Sequence, residues 1–168
     1  MGVRFCPGAR DRLEWPGSRL RGRDVQRIRI LLADDHVLVR EGTRELLERE
    51  PDLEVVAEAD DGQQAVHLAA ELKPDVAVLD AAMPGVNGVE AARQIKAVCP
   101  ATAVLILSAY DSDAYLFAAL EAGATGYLLK SSPHWKVVYS GNISTLLERV
   151  AGALGSGTDE IYKQSRAW

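Results

Sequence analysis

Val76-Ala77-Val78-Leu79-Asp80 is apolar at every position until it stops on a carboxylate, and Ala81-Ala82-Met83-Pro84-Gly85 follows at once. Continuous rather than alternating apolarity suits a strand covered on both faces by helices, as in a parallel sheet. In open sheets of that kind ligands gather outside the carboxyl ends of the strands. A charged residue that ends a buried strand therefore stands where a polar site is built. Taken alone, Asp80 reads equally well as a helix cap or a loop aspartate, and the rest of the chain decides.

Upstream, Ile28-Arg29-Ile30-Leu31-Leu32-Ala33 reads as a strand that stops on Asp34-Asp35. Val37, Leu38, Leu46 and Leu47 then recur at helical spacing until Pro51 forbids continuation. Leu53 to Ala59 is a second strand, and Ala65, Val66, Ala69 and Leu72 mark a helix ending before Pro74. Beyond the opening stretch, Val89, Ala92, Ile95 and Val98 make a third helix, closed by Pro100. Ala103 to Leu107 is again continuously apolar and ends on Ser108. Asp111 or Ser112 can cap a fourth helix through Tyr115, Leu116, Ala119 and Leu120, with Gly123 as its stop. Thr125 to Leu129 is a fifth strand ending on Lys130. Five strands alternating with helices predict an α/β, doubly wound parallel sheet with right-handed crossovers.

Parallel strands present their carboxyl ends at one edge, so Asp34, Asp35, Asp80, Ser108 and Lys130 are expected to converge although they are scattered in sequence. Three carboxylates at close range repel, each pair by up to about 4 kcal/mol at an effective dielectric near 20, and the cluster calls for a cation or protons. Mg2+ fits best, since it takes oxygen ligands, keeps several waters and is commonly shared with phosphate oxygens. In that chemistry Asp80 is the nucleophile that forms an aspartyl phosphate, while Ser108 and Lys130 supply a hydrogen bond and a positive charge to the remaining phosphoryl oxygens.

The 168 residues, 48% of them hydrophobic, suffice for one full core with tails. No apolar run reaches the roughly 18 residues that span a bilayer, and no secretory segment opens the chain, so a cytoplasmic location is expected. Cys6 and Cys99 lack metal-ligand spacing, and Cys99, closing an apolar helical face, reads as a buried thiol. Residues 1–29 hold eight arginines against three acids, so the net charge of −5 conceals a basic arm ahead of an acidic remainder. Residues 1–27 read as a solvated, disordered leader in preference to a nucleic-acid arm.

In combination, Ile30-Leu31-Leu32-Ala33-Asp34-Asp35-His36, Leu79-Asp80 with Met83-Pro84-Gly85 and Gly88, Leu107-Ser108-Ala109 and Gly126-Tyr127-Leu128-Leu129-Lys130 are specific. Over residues 28–132 the chain resembles the response regulator receiver domain of two-component signalling, in its NarL/FixJ-type (LuxR-family) branch. The resemblance implies a flavodoxin-like receiver fold with strand order 2-1-3-4-5. It implies that Asp80 accepts a phosphoryl group from the phosphohistidine of a sensor histidine kinase, with Asp35 as direct magnesium ligand, Asp34 as its water-mediated companion and the backbone carbonyl of Ala82 completing the protein ligands. Ser108 and Tyr127 match the family's switch pair, in which the hydroxyl moves toward the phosphoryl group and the ring turns inward. The readout is then the surface of the fourth helix and fifth strand, which meets a downstream protein or a second copy. On this reading the chain is not an enzyme but a phosphoacceptor with self-limited phosphotransfer and autodephosphorylation. His36 is read as a surface or cap residue.

The resemblance weakens after Lys130. An atypical connection over 131–142, in which Trp135 to Tyr139 is either a loop or a short extra element, precedes an amphipathic helix at about 143–154. That helix is expected to close a receiver domain spanning 28–155, with 156–168 as a tail. The branch usually carries a helix-turn-helix output domain for transcription regulation, and the residues beyond Gly155 are too few for one, so DNA binding is not supported. Ala82 and Tyr110, each two residues past a site residue, leave the lifetime of the phosphorylated state open. The rival readings are a degenerate receiver used as a phosphorylation-independent binding module and, ranked lower, an aspartyl-phosphate phosphatase.

Overall fold

The computed structural model describes residues 27–110, 112–131 and 134–140, with the backbone alone from Lys130 onward. In chain order the elements are β1 (Ile28–Ala33), α1 (Val37–Glu48), β2 (Leu53–Ala59), α2 (Gly62–Leu72), β3 (Val76–Asp80), α3 (Gly88–Val98), β4 (Ala103–Ser108), α4 (Asp113–Glu121), β5 (Gly126–Ser131) and β6 (His134–Ser140). The sheet runs β2-β1-β3-β4-β5-β6. Its first five strands are parallel, in the expected order.

The sixth strand is an addition. β6 lies antiparallel to β5, with Tyr127 opposite Tyr139 and Lys130 opposite Trp135. Trp135 to Tyr139 is therefore an edge strand and not a loop. Trp, Val and Tyr favour a pleated surface, and an antiparallel return needs only a short connection where a parallel one needs a crossover. Residues 1–26 of the leader, Asp111, the helix expected at 143–154 and the tail from 156 lie outside the described residues.

Continuous apolarity in the central strands has its reason in the packing. Leu31, Ala33, Ala77, Leu79, Val104 and Ile106 form one core with Ala65, Ala69, Ala91, Ala92 and Ile95 of α2 and α3. The alternate residues Ile30, Leu32, Val76, Val78, Leu105 and Leu107 form a second core on the other face, with Leu47 of α1. Side chains alternate across a strand, so both sets are needed only because both faces are covered.

The helices stop where punctuation dictates. α2 ends at Lys73, whose N–H still donates to the Ala69 carbonyl while its left-handed backbone (φ 49°) turns the chain out of the helix just before Pro74. α3 begins at Asn87, whose side chain accepts from the Glu90 N–H. Cys99 is buried, and its thiol donates to the Ala69 carbonyl at 3.5 Å. Of the helically spaced apolar residues of α1, Leu47 is buried, together with Thr43, while Val37 and Leu38 stand exposed, Leu38 at 83%. They occupy the first turn of α1.

Candidate functional site: an acidic cluster at the strand ends

Register decides what meets at the carboxyl edge. Ala33 pairs with Leu79, Asp80 with Leu107, and Ser108 with Leu129. Asp34 thus follows β1 at the level where Asp80 ends β3, and the backbones of Ser108 and Lys130 step out beside them. The side chain of Lys130 lies outside what the structure describes.

Asp34 is buried, 4% exposed, and its Oδ1 accepts from the His36 N–H at 2.7 Å. Burial raises its carboxyl pKa above the usual range, the His36 N–H opposes this, and Asp35 adds to the rise. Asp80 is half-buried, and its Oδ2 accepts from the Ala82 N–H at 3.0 Å. Its carboxyl is also raised, first by burial and then by Asp34, with the Ala82 bond opposing and Asp35 adding a smaller push. Both carboxyls thus carry the penalty expected of negative charges held together out of water.

Asp35 completes the cluster. Its Oδ1 is shielded from solvent and has no hydrogen-bond partner. His36 Nδ1 stands 2.9 Å from that oxygen and 3.5 Å from Asp34 Oδ1, in contact but without hydrogen-bond alignment to Asp35. Ligand atoms of Asp34, Asp35 and His36 lie within 4.8 Å of one another, and Asp80 stands outside that tighter group. A solvent-shielded carboxylate oxygen that accepts no hydrogen bond, with an imidazole against it and the buried Asp34 carboxylate beside it, suits a small hard cation.

The loop after Asp80 is held by close backbone approach. A Cβ on Gly88 would collide with the Asp80 carbonyl, and one on Gly62 with the Val86 carbonyl. Ala82 is exposed in the intervening turn, beside the carboxylate its N–H caps.

Ser108 and Tyr127 meet at a different point. Ser108 Oγ accepts from the Tyr110 N–H at 3.0 Å and donates to the Tyr110 carbonyl at 3.2 Å. Tyr127 is already inside, 2% exposed, and its hydroxyl donates to the same carbonyl at 3.3 Å. The ring is inward while the serine hydroxyl is engaged by the loop that leads to α4.

Sequence reasoning missed Arg40 and Glu58. Arg40 Nη1 donates to the Asp34 carbonyl at 2.5 Å, and its Nε donates to Glu58 Oε2 at 3.2 Å. An arginine four residues after His36, one helical turn into α1, was the available signal; its partner on β2 is 18 residues away and needed the fold. His36 likewise touches both acids of the pair it follows.

The sheet order and the acidic strand ends define a class, and comparison with known proteins agrees. The family model described as the response regulator receiver domain matches residues 30–138, and the chain belongs to that family. Over 104 residues it is 47% identical to the transcriptional regulatory protein DegU of Brevibacillus brevis, covering 62% of this chain and 44% of that protein. Over 105 residues it is 45% identical to LiaR of Bacillus subtilis (strain 168), covering 62% and 50%. The chain thus spans about half the length of these curated relatives. The signal receiver domain of the response regulator NarL from Mycobacterium tuberculosis superposes with a TM-score of 0.62 at 34% identity, covering 85% of this chain and 99% of that one. A LuxR-family response regulator from Aurantimonas sp. SI85-9A1 gives 0.61 at 46% identity, covering 64% and 76%. The chain carries a receiver domain of two-component response regulators, with LuxR-family relatives. Among the described residues no helix is long and apolar enough to cross a membrane.

Proposed function

We propose that the domain is a phosphorylation switch of the cytoplasm in which Asp80 receives a phosphoryl group from a sensor histidine kinase. An Asp80 oxygen attacks phosphorus, the bond to the donor imidazole nitrogen breaks, and that nitrogen keeps the electron pair. Asp34, Asp35, Asp80 and the Ala82 carbonyl would hold Mg2+, which when bound neutralises charge on the transferring group. The Ala82 N–H stays on the carboxylate that reacts, and Gly88 allows the main chain of Asp80 to sit against the start of α3. Lys130, ending β5, supplies a positive charge to the phosphoryl oxygens, and Ser108 supplies a hydroxyl once it leaves Tyr110. The added charge of roughly −1.5 to −2 biases the loop that Ser108 and Tyr127 share, and the surface of α4 and β5 carries the change to a second copy or a downstream protein. The domain turns over no external substrate. Control of transcription belongs to the names of the longer relatives, and for this chain it is the expected use of the switch.

The observation that carries this reading is the crowding of acids at the strand ends: a solvent-shielded Asp35 oxygen that accepts no hydrogen bond, the buried Asp34 and the half-buried Asp80, the last two with raised carboxyl pKa. Incubation with Mg2+ and acetyl phosphate, read by intact-protein mass, is expected to add one phosphoryl group to the native chain and none to Asp80→Asn. No label on the native chain, or equal label on both, refutes the switch and favours a phosphorylation-independent binding module.

A further inference from the structure

We propose that Arg40 is a positioning residue for the acidic site: it pins the Asp34–Asp35 peptide to the end of β2 and so sets the affinity for magnesium. The inference rests on the magnesium site proposed above.

The main chain of Asp34 is tied on both sides to the same strand end. Its N–H donates to the Ala59 carbonyl at 3.1 Å. Its carbonyl accepts from Arg40 Nη1, whose Nε is held by Glu58, the neighbour of Ala59. Arg44 Nη1 takes the other Glu58 oxygen at 2.9 Å, so the carboxylate is fixed by two guanidinium groups. Arg40 is largely buried, with 16% of its side chain exposed. A planar guanidinium can bridge a carbonyl and a carboxylate in one orientation, which a flexible ammonium cannot.

Asp35 leaves the far end of that peptide. Turning the Asp34 carbonyl turns the Asp35 N–H with it, and moves the carboxylate whose solvent-shielded Oδ1 accepts no hydrogen bond. Arg40's charge is paired with Glu58 and its contact with Asp34 is to the carbonyl, so it acts on the site through the main chain. Outer-shell partners that orient ligands typically alter metal affinity 10–100-fold when removed.

Arg44 supplies the control, because it shares Glu58 without touching Asp34. In 1H–15N NMR titrations of the full chain with MgCl2, Arg40→Met is expected to bind about 10–100-fold more weakly than native. Arg44→Met is expected to bind as native does. Without metal, the Asp35 amide resonance should shift in Arg40→Met and stay in Arg44→Met, a difference that general loss of stability does not produce. Glu58→Gln, which keeps the shape and removes the charge between the arginines, should weaken magnesium by a smaller factor. Arg40→Met binding within threefold of native, or Arg44→Met weakening it equally, overturns the proposal. If Arg40→Met does not fold, unchanged affinity in Glu58→Gln does so. A folded native chain that shows no magnesium-dependent shift overturns the magnesium site itself, and is thereby distinguished from a failure of Arg40 alone.

Discussion

Asp80→Asn is expected to stabilise the metal-free protein. The substitution keeps an oxygen for the Ala82 N–H and removes one charge from a site where Asp34 and Asp35 both push the Asp80 carboxyl up. Any two unit charges roughly 6 Å apart at an effective dielectric near 20 interact by about 3 kcal/mol. Asp80 keeps some contact with water and its Ala82 bond offsets part of the cost, so the net gain is about 1–2 kcal/mol, or roughly 5–10 °C in Tm for a domain of this size. The sign with pH follows from the raised carboxyls. Below the ordinary value of 3.8 both states are protonated and no penalty exists. As pH rises through the raised folded value, the native chain loses stability that the variant keeps. Thermal melts in EDTA should therefore coincide near pH 3.5 and separate by pH 8, with the variant higher. Magnesium at 100 times its Kd adds about 2.7 kcal/mol to whichever form binds it, so saturating MgCl2 should close or reverse the gap. A variant that melts at or below native in EDTA at pH 8 would show that the site stores no repulsion.

Three further outcomes test the local geometry. Gly88→Ala forces a Cβ onto the Asp80 carbonyl; it should cost about 2–4 kcal/mol in urea unfolding and slow labelling by acetyl phosphate. Asn87→Ala removes the cap on the Glu90 N–H and should cost about 1 kcal/mol, whereas Ser112→Ala, at a position without a side-chain cap bond, should cost only a few tenths. Tyr127→Phe removes the 3.3 Å bond to the Tyr110 carbonyl, which keeps its bond from Ser108; chemical denaturation should register less than about 1 kcal/mol.

The parallel frame was legible because its causes are local. A strand buried on both faces must be apolar throughout, and the helices between strands end at proline, at glycine or in a left-handed turn. From those runs alone the polar strand ends fall at one edge, and Asp34, Asp35, Asp80 and Ser108 are found there. The helical spacing of Val37, Leu38, Leu46 and Leu47 marked α1 correctly, but not which of them is buried: Leu47 is, while Val37 and Leu38 are exposed.

What the sequence by itself determined, then, is the order of the elements and the residues that end them, since burial pattern and chain punctuation act over a few residues. Tertiary structure alone decided the rest. Pairing of β6 with β5 depends on a partner strand, which no property of Trp135 to Tyr139 names. The attachment of Ser108 to Tyr110, rather than to the acids, depends on the path of one loop. Arg40, Glu58 and the Asp34 carbonyl meet only because β1 and β2 lie side by side, and a hydrogen bond requires a distance that sequence separation does not supply.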